Sequence, residues 1–126
     1  MSSTAFFLKR LNDHVLYLKK IKLTLNNRGD FCGSDYHRCK LGEWLYGEGK
    51  EQARNISDEM LTLFESLFDP HQQFHDASAI AITAHNEGNR ELETTQFTKM
   101  HTLSNTLVSI LLDMDRIAQS SSVEVA

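Results

Sequence analysis

Apolar residues recur near the start of the chain in alternating steps of four and three: Phe7, Leu11, His14, Leu18, Ile21 and Leu25. That spacing places them on one face of a helix over Ser3–Asn26 and predicts the inward stripe of a bundle helix. One member of the stripe is a histidine. The segment NNRGDFCGSDYH follows, rich in Asn, Gly, Asp and Ser, and reads as a loop. A short helix is expected over Arg38–Tyr46, holding Leu41, Trp44 and Leu45 and ending near Gly47 and Gly49. Ser57 with Asp58 and Glu59 behind it starts the next helix, a hydroxyl cap and acids at the positive end of the dipole. Its seam is Leu61, Phe64, Phe68, His71, His75, Ser78, Ile82 and His85. After the stop signal NEG the last helix begins near Asn89, with the seam Met100, Leu103, Leu107, Ile110, Met114 and Ile117. The tail QSSSVEVA, residues 119–126, is expected to fray.

Pro70 complicates the third helix. Asp69-Pro70 can cap and open a new helix. Alternatively, one helix continues with a kink and loses the bond from residue 70 to the Ser66 carbonyl. The seam keeps its phase through Pro70, which favours a kinked, nearly continuous helix. Strand-like alternation is absent. The fold class predicted is all-α: one domain over residues 1–126, a four-helix bundle with three long helices and one short helix packed across it.

Composition adds exclusions. The 126 residues are 40% hydrophobic and 24% charged, with a formal net charge of −4, as in a soluble globular protein. The acidic balance argues against nucleic acid as a partner, because phosphate binding needs a basic patch. Lys9, Arg10, Lys19, Lys20 and Lys22 read as the solvated face of the first helix. No apolar run approaches the ~20 residues that span a bilayer, and the N-terminus lacks a signal-peptide pattern. A cytoplasmic location with no membrane partner is therefore expected. In a reducing compartment Cys32 and Cys39 point to metal or redox chemistry before a disulfide.

His14, His71 and His75 all occupy seam positions, and His71 and His75 lie one turn apart on one face. Imidazoles aimed into a core are costly unless both ring nitrogens find partners. A metal ion takes one nitrogen and leaves the other for an outer acceptor. Each feature alone has a plainer reading: a hydrogen-bonded core histidine, or a small buried thiol. Together, three imidazoles and the Cys39 thiolate make a suitable tetrahedral set for Zn²⁺. Cys32 and His37 are weaker alternatives in or beside the loop. His85 lies about 15 Å of helix beyond His75, too far to share an ion. His101 reads as surface or filler. Asp13 and Asp76 adjoin ligands in sequence but face elsewhere on their helices.

The pattern His14-Val15-Leu16, then Cys39-Lys40-Leu41-Gly42-Glu43-Trp44, then His71-Gln72-Gln73-Phe74-His75 resembles the chemoreceptor zinc-binding (CZB) domain. That family's motif is H-x-[large apolar], C-x-[apolar]-G-x-[large apolar] and H-x-x-x-H, and every position is matched in order. The resemblance implies a four-helix fold with one zinc held by His14, Cys39, His71 and His75. Cys39 would open the short helix, where the helix dipole favours a thiolate. Leu41 and Trp44 would anchor that helix, and Gly42 would permit close backbone approach. The resemblance further implies bacterial signalling, such as chemotaxis, since these domains are usually joined to chemoreceptors or diguanylate cyclases and sense zinc or oxidants.

A four-coordinate site has no open position for substrate. No nucleophile–base pair, phosphate loop or carboxylate-rich di-iron pattern accompanies it. An enzyme is not expected. With no output domain in the sequence, the domain reads as a stand-alone member acting on a separate signalling protein or on its twin in a homodimer. The competing expectation is a structural adaptor, stapled by zinc, whose helical surface binds a partner.

Overall fold

The computed structural model describes the backbone of residues 2–125 and the side chains of residues 7–120. Its regular structure is entirely helical: α1 (Ser2–Leu25), α2 (Lys40–Leu45), α3 (Gly49–Ile56), α4 (Asp58–Glu65), α5 (Phe68–Asn86) and α6 (Arg90–Val125). Three long helices are present as the periodicity predicted, but three short ones accompany them instead of one. The longest, α6, packs along both α5 and α1. α4 packs on α6 and on α3, and α2 lies against α1. No helix among the described residues is long and apolar enough to cross a membrane.

The stops follow local chemistry. Beyond α1, Asn27 adopts a left-handed φ of 61°, and the Arg28 and Asn27 N–H groups return to the Leu23 and Thr24 carbonyls. That is a Schellman closure, with asparagine in the place glycine usually takes. α5 closes the same way around Gly88, after which the Asn89 side chain caps α6 through the Leu92 N–H. Ser57 caps α4 by accepting the Met60 N–H at 3.0 Å, as its sequence context predicted.

Two expectations need correction. Residues 49–56 form a helix where only a connection was expected. α3 buries just Gly49 and Ala53, too few positions to write a stripe. The kinked, nearly continuous third helix is instead two helices, broken at Ser66 and Leu67. There the Ser66 and Leu67 N–H groups bond back only as far as Thr62, Leu63 and Phe64, a tight turn. The break sits one turn before Pro70, at the carbonyl that proline cannot use and would crowd. Pro70 thereby falls in the first turn of α5, where a missing N–H costs nothing. The last helix, α6, is assigned to Val125; Ala126 lies outside the described residues.

The core is filled from every long helix: Ile21 of α1, Phe74 and Ala81 of α5, and Met100, Leu107, Leu111 and Met114 of α6. The α6 stripe is rotated from the expected one. Leu111 and Ser104 are buried, while Leu103, Ile110 and Ile117 are only half-buried. A helix wedged between two neighbours buries a face offset from the one its most apolar residues mark.

Candidate metal centre

Cys39 is the N-cap of α2, with an extended backbone and its Sγ accepting the Gly42 N–H at 3.2 Å. The turn before it presses against the helix so closely that a Cβ on Gly42 would lie 1.9 Å from the Tyr36 carbonyl oxygen. Only glycine fits there, as the motif implied. Leu41 and Trp44 bury the inner face of α2. The Trp44 ring meets Phe7 and Phe64 edge-on, at 5.9 and 5.2 Å between centroids, and its Nε1–H donates to Gln52. The thiol is thus delivered to the bundle by a short, firmly anchored helix.

α5 supplies two imidazoles. His71 is fully buried; its Nε2 lies 3.2 Å from the Cys39 Sγ, and its Nδ1 is buried with no partner. His75, one turn on, places Nδ1 at 3.0 Å from the Ser34 carbonyl oxygen. A carbonyl can only accept, so that nitrogen carries the proton and Nε2 keeps a bare lone pair. The Tyr17 hydroxyl stands 3.2 Å from the same Nδ1. One donor atom from each of Cys39, His71 and His75 falls within a group spanning at most 4.8 Å.

The residues fit a zinc ion. Tetrahedral bonds of about 2.0 Å to nitrogen and 2.3 Å to sulfur set those atoms about 3.5 Å apart, close to the 3.2 Å between Cys39 and His71. An imidazole buried with one orphaned nitrogen costs about 1–3 kcal/mol if it serves packing alone. A cation shared by the His71 Nε2 and the Cys39 Sγ supplies attraction at that face of the ring to set against the cost, while Nδ1 keeps its proton without an acceptor. The ligand types, soft thiolate with imidazole, suit zinc over magnesium or calcium.

His14 stands apart from this group. It is buried, edge-on to Phe74, and its Nε2 lies 3.0 Å from the Ser104 hydroxyl of α6. A hydroxyl can donate or accept, so this bond leaves the His14 tautomer open, unlike the carbonyl on His75. His14 does share with Cys39, His75, Tyr17, Phe31 and Ser34 the lining of a cleft of about 490 Å³ beside α1. Three of the four expected ligands converge, and the fourth borders the same opening.

Electrostatics prepare the rings for a cation. Burial lowers the pKa of His14 to about 4, with His75 adding to the effect. Burial, then His75 and His14, lowers His71 to about 3. Burial also lowers His75, against opposing pulls from the Ser34 carbonyl, Asp35 and Asp76. All three rings are therefore neutral near pH 7, with lone pairs available for a metal. The thiol behaves otherwise than the helix-end position suggested. Backbone N–H groups at the start of α2 favour its thiolate, but burial outweighs them and pushes the Cys39 pKa up, helped by Glu43. A bound divalent cation reverses that balance, because a coordinating thiol is deprotonated.

The alternative ligands stay outside. Cys32 is exposed and turned to the Asp30 carbonyl, and His37 is exposed and paired with Asp35 at 2.9 Å. His85 ties α5 to Glu93 and Asn27, and the His101 ring stacks edge-on against Phe97. Sequence reasoning missed Tyr17, Ser104 and the Ser34 carbonyl. Tyr17 had a readable cue, since it follows His14 by three residues and so shares its face. The other two carried none, because a backbone carbonyl has no sequence signature and a serine in a helix rarely marks a site.

The chain matches no curated protein and no solved structure. Residues 14–82, more than half of it, match the family model of the chemoreceptor zinc-binding domain. The match opens on His14, which lines the cleft with Cys39 and His75, and takes in Cys39, His71 and His75, whose donor atoms converge. The chain belongs to the chemoreceptor zinc-binding domain family.

Proposed function

We propose that this protein is a regulatory zinc-binding sensor module of bacterial signal transduction. His14, Cys39, His71 and His75 hold one Zn²⁺, and occupancy of the site is passed to a separate signalling protein, such as a chemoreceptor or a diguanylate cyclase. The observation that supports this reading most is the convergence of Cys39, His71 and His75 within 4.8 Å, with His75 held in the tautomer that offers Nε2.

Zinc, when bound, supplies the positive charge that keeps the Cys39 thiolate and joins α2 to α5. The chain's own residues do the rest. Cys39 is the single anionic ligand, so its loss or its oxidation to the sulfenic acid weakens the site most. The cleft beside α1 gives solvent and small oxidants a way to its sulfur. Once Cys39 lets go, His71 and His75 repack, and α2 with the preceding loop shifts against α5. Four protein ligands leave no place for a substrate, so the role is non-enzymatic. A cytoplasmic setting and a homodimer fit this reading.

Native mass spectrometry of gently purified protein tests it, before and after peroxide or hypochlorite and with Cys39→Ala. One zinc per chain, lost on oxidation or in the variant, supports the sensor. Zinc that survives oxidation and exchanges too slowly for the cell's free-zinc range points to a structural staple. No zinc, even with excess metal, ends the four-ligand reading.

A further inference from the structure

The loop between α1 and α2 folds back over α1 and is fastened there by Tyr17. Thr24 donates to the Phe31 carbonyl at 2.6 Å, and the Phe31 ring meets Tyr17 edge-on at 5.1 Å. Gly33 turns the chain with a left-handed φ of 84°. A Cβ at Gly33 would come within 3.0 Å of the Tyr17 hydroxyl. The Ser34 N–H then donates to that hydroxyl at 2.8 Å, while the carbonyl of the same residue receives the Nδ1–H of His75 at 3.0 Å. One residue's backbone thus bonds α1 through its N–H and α5 through its C=O.

The consequence lies at the other end of the imidazole. Which nitrogen of a metal-binding histidine is bare, and where it points, is set by what the remaining N–H donates to. For His75 that acceptor is the Ser34 carbonyl, whose residue is held by the Tyr17 hydroxyl, and the same hydroxyl stands 3.2 Å from Nδ1 itself. Tyr17 is buried between Phe31, Phe74 and His75, so its ring is held on several sides and the hydroxyl is a fixed point.

We propose that Tyr17 is a positioning residue of the metal centre: beside Nδ1 and through the backbone of Ser34, its hydroxyl sets the tautomer and ring orientation of His75 for zinc. The inference rests on the zinc-site reading above. Gly33 belongs to the same device, because a side chain there would disturb both the turn and the approach to Tyr17.

The test is a competition titration of zinc against a chromophoric chelator for wild type, His75→Ala, Tyr17→Phe and Gly33→Ala. Imidazole ¹H–¹⁵N spectra of the zinc-loaded forms accompany it. Tyr17→Phe keeps the ring and its packing and removes only the hydroxyl. The expected result is zinc affinity about 10–100-fold weaker than wild type, with the His75 Nδ1–H exchanging faster with solvent and the helical circular dichroism unchanged. Gly33→Ala, which leaves Tyr17 intact, should weaken zinc in the same direction and covers the case of a poorly folding Tyr17 variant. Affinity within threefold of wild type in both variants, with an unaltered Nδ1–H signal, overturns the positioning role. If His75→Ala weakens zinc while these two do not, the inference alone fails. If wild type binds no zinc, or His75→Ala binds as well as wild type, the site reading fails and takes this inference with it.

Discussion

Replacing Gly42 with alanine sets two effects of opposite sign against each other. Gly42 lies inside α2, where exchanging glycine for alanine ordinarily stabilises a helix by about 0.5–1 kcal/mol. The structure puts the new Cβ 1.9 Å from the Tyr36 carbonyl oxygen and 2.9 Å from its carbon. Carbon and carbonyl oxygen ordinarily touch near 3.3 Å, so the Cβ is about 1.4 Å too close. Both obstacles are backbone, and no side-chain rotation relieves them. Overpacking of this kind costs typically about 1–3 kcal/mol or more. The clash wins, with a net loss near 2 kcal/mol, or roughly 8 °C in Tm for a chain of this length. Separation of α2 from the Tyr36–His37 turn also displaces Cys39, which caps the helix through the Gly42 N–H. Zinc affinity should therefore fall by at least tenfold, since ligand placement errors of about an ångström are costly. Urea melts of the metal-free protein read the first effect, and a chelator competition reads the second. A Gly42→Ala protein as stable as wild type, binding zinc as tightly, would refute the reasoning.

Metal-free protein carrying His71→Leu should be about 1 kcal/mol more stable than wild type, because the buried Nδ1 without a partner disappears; zinc binding should vanish in the same variant, and a stability loss in the chelated state would show that His71 serves packing. The metal-free protein should also lose stability in acid. The folded-state pKa values of His14 and His71 are depressed to about 4 and about 3, below the unfolded value of 6.5. The unfolded chain therefore binds more protons across that window, so stability is intact above pH 6.5 and is lost as pH falls toward 4 and then 3. At pH 5 the pair accounts for up to about 4 kcal/mol, at about 1.4 kcal/mol per pH unit for each ring. Urea melts at pH 7 and pH 5 with EDTA measure it, and His14→Phe should flatten the dependence.

Much of the fold could be read from one dimension. The four-three spacing from Phe7 to Leu25 reports which face of α1 is apolar, and it survives in the structure because burial in a bundle obeys the helical period. Ser57 and the Asn89 region marked helix starts through side-chain chemistry that acts over three residues. The motif around Cys39 and the His71–His75 pair named the site, because ligands need fixed residue types at fixed helical spacings. Short-range physics of this sort is local in sequence, so sequence carries it.

What tertiary structure alone decided is non-local. α3 exists because Gly49 and Ala53 find neighbours on α4 and α2, not because its own eight residues form a stripe. Pro70 left two lawful readings, and the break settled a turn upstream, at Ser66 and Leu67. The rotation of the buried face of α6 depended on its having two partners. At the site, the sequence could offer His14 as an equal of His71 and His75. Only packing turned its Nε2 to Ser104, ninety residues away, and brought the Ser34 carbonyl and the Tyr17 hydroxyl to His75. Tautomer, ring direction and burial are properties of a neighbourhood, and a neighbourhood assembled from distant segments is written in no single stretch of the chain.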